Sequence, residues 1–191
     1  MIGKGKSISH GTAALEYDLA KEIDGQTAAI EIARHELYGC TGAEMVQEMK
    51  PYHADFPNVK NNCLRFEVSP SIEESATFTD ADWAELGNDF MQRMGLANHQ
   101  YIIIRHSGTE SKKEQAHLHI LANRVSLSGE LYRDNWIGKR ATEAANAIAK
   151  ERNFVQSQDI GKANKAEIKE AMDDVLKKMQ GFDFTKFKEE L

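Results

Sequence analysis

The 191-residue sequence predicts an α+β domain in which an antiparallel sheet carries helices on one face. Three observations predict it. Short segments rich in branched and aromatic residues recur at Cys63–Ser69, Tyr101–Arg105 and His117–Val125, each bounded by turn formers. Segments of helical period lie between and after them, without the strict strand–helix alternation of a doubly wound sheet. The chain has no GxGxxG, no Walker pattern and no serine nucleophile elbow, so the common nucleotide and hydrolase frameworks are absent.

The first twenty residues, MIGKGKSISHGTAALEYDLA, open small and basic and then turn into a short helix that Ser9 or Thr12 would cap. Lys4, Lys6 and glycine backbone just before a helix start give a phosphate a natural approach. Tyr17 lies on that helix. Thr27–Leu37 and Thr41–Lys50 read as two short helices split by Gly39. The second carries Thr41 with Glu44 three residues on, a capping-box pattern, and Pro51 stops it.

After a loop to Asn62, CLRFEVS alternates cleanly. Leu64, Phe66 and Val68 mark one face; Arg65, Glu67 and Ser69 mark the other. Thr79 with Asp82 starts a helix whose stripe is Trp83, Leu86, Phe90 and Met94, closed by Gly95. The strands YIIIR and HLHILANRV follow, joined by a polar connection. Ser128–Glu130 makes a turn, and LYRDN reads as a short last strand. From Gly138 the small residues Ala141, Ala144, Ala145 and Ala149 line a helix that a neighbour approaches closely, with Lys139 and Arg140 at its start. Ala163–Gln180 is an amphipathic helix. We read residues 1–155 as one domain and 156–191 as a helical extension, the start of a longer protein's C-terminal region.

Net charge is −6, which argues against indiscriminate nucleic-acid binding and requires any nucleic-acid cleft to be local. Cys40 and Cys63 lack CxxC spacing and read as reduced thiols in a cytoplasmic setting. No apolar run is long enough to span a membrane, so no membrane insertion is expected.

Chemistry concentrates at three histidines. Side chains two apart on a strand share a face, so His117 and His119 project together. Antiparallel pairing of the two strands brings His106 back beside them. Three imidazoles suit a first-row divalent cation and leave coordination positions open. His35 and His53 are isolated and read as surface or packing residues.

With these residues in view, the chain resembles conjugative relaxases, the mobilisation nucleases of plasmids and integrative elements, and more narrowly those of Bacteroides-type mobilisable elements. The resemblance runs to about Phe154. It rests on IGKGKSISH, LRFEVSPSIE, the H…HLHILANRV hairpin and IGKRA, the first and third being the most specific. It implies an antiparallel sheet of about five strands with flanking helices, the HUH-endonuclease fold. It further implies a divalent metal (Mg²⁺ or Mn²⁺, with Zn²⁺ or Ni²⁺ able to replace it in a crystal) on His106, His117 and His119. Tyr17 becomes the nucleophile and Ser69 a DNA contact. The connection between His106 and His117 is longer than is usual in relaxases, and Glu110 stands where an acidic partner of a ring N–H is typical.

The implied reaction is nicking and rejoining of one strand at an origin of transfer through a 5′-phosphotyrosine. Glu67, His10 or a metal-bound hydroxide would take the phenol proton. Lys4, Lys6, Arg105, Asn123 and Arg124 would hold flanking DNA. Expected partners are single-stranded origin DNA, accessory mobilisation proteins, and a coupling protein with its type IV secretion apparatus. A rolling-circle replication initiator shares the fold but normally places its tyrosine after the histidines. A non-catalytic single-stranded DNA-binding module would keep the fold without the metal ligands.

Overall fold

A computed structural model describes residues 1–108 and 115–179, with 181, 183, 184 and 188 beyond them. The elements run in order as β1 (Ile2–Ile8), α1 (Gly11–Leu19), β2 (Glu22–Ile23), β3 (Gln26–Thr27), β4 (Ala29–His35) and α2 (Gly42–Met49). A 3₁₀ turn at Lys50–His53 leads to β5 (Cys63–Ser69), α3 (Ile72–Ser75), α4 (Asp80–Arg93), β6 (His99–His106), β7 (His117–Ser126), α5 (Ile137–Glu151) and α6 (Ser157–Lys178). Five strands form one antiparallel sheet in the order β1-β5-β7-β6-β4, and β2 and β3 make a separate small hairpin.

Register sorts the side chains. The rows Lys4–Glu67–His119–Ile104 and Lys6–Arg65–Leu121–Ile102 run across one face. Gly5–Phe66–Ile120–Ile103 runs across the other. The second face is apolar at its centre and is covered by α4 and α5, which bring Trp83, Leu86, Phe90, Ala141, Ala145 and Ile148 into the main core. The first face is covered only in part. There α1 and α2 pack Leu15, Met45 and Met49 on Ile102, Ile104 and Leu121. Lys4, Lys6, Arg65 and Glu67 on this face line a groove of about 160 Å³ together with Gly5.

The α+β class and the antiparallel sheet agree with the sequence, and several details do not. Helices cover both faces, because the partly apolar first face still has a core to bury. The segment read as a helix over 27–37 is mostly β4. Its sequence AIEIARH alternates only loosely, and the strand is an edge with a register shift between Glu31 and Ala33. The opening MIGKGKS is the other edge strand. Its glycines hide it from strand propensity, but they are what let α5 approach: a Cβ on Gly3 would lie 2.4 Å from the Ala141 carbonyl oxygen. LYRDN makes only the single bridge Val125–Leu131. His10, without a side-chain hydrogen bond, caps α1 in place of Ser9 or Thr12.

The capping boxes at Thr41–Glu44 and Thr79–Asp82 both form. Gly95 follows α4 with φ +74°, the left-handed conformation that glycine adopts without strain. His35 and His53 are packing residues: His35 stacks on Tyr101, and His53 Nε2 lies 2.7 Å from Asn123 Oδ1. Cys40 and Cys63 are both unpaired thiols, and burial pushes Cys63 up to about 11.

Candidate active site

His106 ends β6 and His117 begins β7, and the two are direct cross-strand partners. The long connection between them therefore does not separate them. His119, one pleat further along β7, sits on the same face beside Ile104 and Glu67. One ring nitrogen from each of the three lies within 4.8 Å of the others. The ring centroids are 4.4 to 5.4 Å apart.

Hydrogen bonds set the rings. His106 Nε2 donates to the Asp18 carbonyl at 2.8 Å, and His117 Nδ1 donates to the Gln115 carbonyl at 3.0 Å. These bonds fix both rings from behind. His117 Nε2 faces His119 Nε2 at 3.1 Å, and Arg65 Nη2, which can only donate, faces His119 Nδ1 at 3.1 Å. Burial holds His106 below its ordinary value. His119 is pushed down to about 2 by burial first, then by the neighbouring His106, Arg65, His117 and Lys4. Both rings are neutral at physiological pH, the state in which imidazole ligates a cation.

Next to the rings is a buried ion pair that sequence reading did not single out. Arg65 Nη2 and Nε donate to the two Asp18 carboxylate oxygens at 2.6 and 3.1 Å. Asp18 Oδ1 stands 3.8 Å from His119 Nδ1. Burial raises the Asp18 carboxyl above its ordinary value, while the Arg65 donors oppose that shift. Asp18 touches two of the three histidines, one through its backbone and one through its side chain. It lies in the last turn of α1, where the helix carbonyls favour a nearby cation. No spacing in the sequence marks an aspartate as buried, so its role became visible only in three dimensions.

The remaining site expectations divide. Tyr17 precedes Asp18 on α1 and is 60% exposed, with Lys21 Nζ 5.6 Å from its ring centroid. Glu67 pairs in register with His119 and accepts from Lys4 Nζ at 3.3 Å. Ser69, at the end of β5, accepts from Gln115 Nε2 at 3.2 Å, close to the His117 strand entry. Lys4, Glu67 and Ser69 thus lie beside the strand that carries His117 and His119, Lys6 lies one row further, and Tyr17 adjoins the site only through its neighbour Asp18.

Arg105 and Arg124 alternate onto the opposite face, where Arg105 pairs with Asp80 and Arg124 with Asp134. Asn123 is fully buried and engages Met49, Gln100, His53 and Val125, which leaves it no face for DNA. The structure does not bring these three to the cluster. Glu110 lies outside the described residues.

Of the other four tyrosines, the Tyr101 hydroxyl donates to Asn88 and the Tyr132 hydroxyl to the Met94 carbonyl. Tyr38 follows the end of β4 that pairs with Tyr101, away from His106. Tyr52 neighbours His53 at the Asn123 end of the sheet.

The family model described as "Relaxase: MobA/VirD2-like, nuclease domain" matches residues 17–154. The chain belongs to this relaxase family. It is a DNA relaxase domain, an enzyme that nicks DNA at an origin of transfer. The family matched is the relaxase, not the replication initiator or a binding module. No curated protein matches the chain. Among solved structures, the relaxase domain is similar to the conjugative relaxase TrwC in its metal-bound complex with oriT DNA. Identity is 14%, with 79% of this chain and 69% of that chain covered, at a TM-score of 0.42. A divalent cation fits the residues present in the relaxase domain: one ring nitrogen from each of three histidines lies within 4.8 Å of the others, and two rings are fixed from behind by backbone carbonyls. Among the described residues, no helix is long and apolar enough to cross a membrane.

Proposed function

We infer that this relaxase domain cleaves and rejoins one DNA strand by transesterification on Tyr17. The observation that carries the reading is the C-terminal turn of α1. Asp18 contacts His106 and His119, and the exposed Tyr17 is its immediate neighbour.

A divalent cation, Mg²⁺ or Mn²⁺ in the cell and Zn²⁺ or Ni²⁺ as substitutes, would be held by His106, His117 and His119 and supply Lewis acidity at the scissile phosphate. The protein's own residues do the rest. Lys4 and Lys6 bind the backbone on the open face, beside Glu67 and Arg65. Ser69 contacts the strand at the sheet end. Tyr17 gives its phenolic proton to Glu67, and its oxygen forms a bond to phosphorus as the bond to the 3′-oxygen breaks. The 3′-oxygen leaves and is protonated, and the downstream strand remains on the enzyme as a 5′-phosphotyrosine. The new bond is a phosphodiester like the old one, so attack by a 3′-hydroxyl restores the strand. The substrate is single-stranded or locally melted, because the site must surround one backbone.

Intact-mass spectrometry of the protein incubated with a single-stranded origin oligonucleotide and Mg²⁺ or Mn²⁺ tests this. A cation-dependent adduct lost in Tyr17→Phe is expected. An adduct that survives Tyr17→Phe moves the nucleophile elsewhere, and one that survives chelation removes the cation from the reaction.

The division at residues 155/156, a cytoplasmic location, accessory mobilisation proteins and delivery through a coupling protein and secretion channel belong to the same proposal. Glu110 is carried with it as an acidic partner of the cluster.

A further inference from the structure

Trp136 is the least explained residue in the domain. It is 81% exposed, against 2% for Trp83, the other tryptophan. Its backbone lies at φ 56°, ψ 26°, the left-handed region that a bulky L-residue adopts only at a cost. Neighbouring contacts impose that conformation. Asp134 accepts from Ser7 Oγ and Arg124 Nη2, both at 2.6 Å, and the Asp134 carbonyl accepts from the Ile137 amide. The fold therefore stands an indole out into solvent at the start of α5, where a glycine would be unstrained and no apolar burial would be lost. Strain held in place without a packing return points to a function.

The location suggests which. The first turn of α5 rests on β1: a Cβ on Gly138 would be 3.4 Å from the Gly5 carbonyl oxygen. On the other face of β1, Lys4 and Lys6 line the groove that begins at Glu67 and Arg65, beside His119. β1 is an edge strand, so a chain leaving the histidine cluster over Lys4 and Lys6 can pass round that edge to Trp136. From β7 to β1 is two strand spacings, about 10 Å, within reach of a few nucleotides. Trp136 opens on a depression of about 300 Å³ shared with Asn135, Lys139, Arg140 and Glu143. The Lys139 ammonium is well exposed, with only a 3.8 Å pairing to Glu143. A flat π-face beside an accessible cation, continuous with a basic strand, is the combination that takes an unpaired base and its phosphate.

We propose that Trp136 is a stacking platform for one unpaired base of the DNA strand, a few nucleotides from the scissile phosphate, with Lys139 holding the adjoining phosphate. This rests on the reading of the histidine face as the nicking site. It adds a contact that fixes the strand's path around β1.

The test uses Trp136→Gly. Glycine relieves the left-handed strain, so the variant should unfold at a higher midpoint than wild type while binding single-stranded DNA roughly 5- to 100-fold more weakly. The two readouts moving in opposite directions separate a ligand contact from a structural role. In a Trp83→Phe protein, where Trp136 is the remaining tryptophan, oligo(dT) should quench the emission saturably. An abasic scan of an origin oligonucleotide should reveal one position whose loss weakens wild type but not Trp136→Gly.

Unchanged affinity in Trp136→Gly, or no quenching while DNA binds, overturns the platform and leaves the nicking reading standing. Emission that changes with protein concentration in the absence of DNA overturns it in favour of self-association. Failure of the wild type to bind any single strand overturns both.

Discussion

Asp18 does two jobs from one position. Its carbonyl fixes the His106 ring, and its carboxylate anchors the Arg65 guanidinium whose Nη2 also faces His119 Nδ1 at 3.1 Å. Both members of the ion pair are largely buried, so removing the charge of one leaves the other uncompensated. Asp18→Asn should therefore destabilise the fold by about 3 kcal/mol and weaken Mn²⁺ or Co²⁺ binding at the three histidines by about 10- to 100-fold. Denaturant titration and calorimetry read the two effects separately. Cation affinity equal to wild type in the folded variant would remove Asp18 from the site. The histidines themselves were legible in the sequence because a strand's period of two fixes which face HxH shares. Asp18 was not, because α1 reaches the sheet through tertiary packing of Ala14 and Leu15 that no local spacing encodes.

Among the elements, those with strong local signals were found and the two sheet edges were missed. The strands β5, β6 and β7 announce themselves by alternation or by unbroken branched residues, and α2 and α4 by their capping boxes. An edge strand has one bonded neighbour and one partly wet face, so β4 carries no clean pattern. β1 is written in glycine because α5 lies against it. The packing makes that last point testable. Gly3→Ala places a methyl against the Ala141 carbonyl oxygen at 2.4 Å and the Ala145 Cβ at 2.6 Å, and backbone cannot yield as a side-chain tip does. A loss of about 1–3 kcal/mol is expected. Gly161→Ala, in α6 with nothing within 4 Å of the added carbon, should cause no loss. Equal stability of the two variants in urea would mean that α5 does not press on β1 as described.

For the whole molecule, net charge and local chemistry pull apart. The chain is acidic, yet its open face presents Lys4 and Lys6, while acids such as Asp18 and Glu67 there are paired with Arg65 and Lys4. The histidines add a pH dependence to the fold itself. His99 is buried under Tyr132, with its Nδ1 donating to the Asn123 carbonyl at 2.9 Å, and burial lowers it below its ordinary value near 6.5. His106 and His119 are lowered for the same first reason.

A histidine kept neutral in the native state takes up its proton more readily once unfolded. Its contribution to stability is therefore complete above about pH 6.5. It is lost as pH falls from there through the folded-state value. While it titrates in the unfolded chain alone, each ring contributes a slope of about 1.4 kcal/mol per pH unit. With EDTA present, urea midpoints should be flat from pH 8 to 7 and fall steadily between pH 6.5 and 5. His99→Gln, whose amide can still donate to Asn123, should fall less steeply. A wild-type midpoint that holds constant down to pH 5 would mean these rings are not buried in the neutral form, and the ligand geometry at His106 and His119 would have to be abandoned with them.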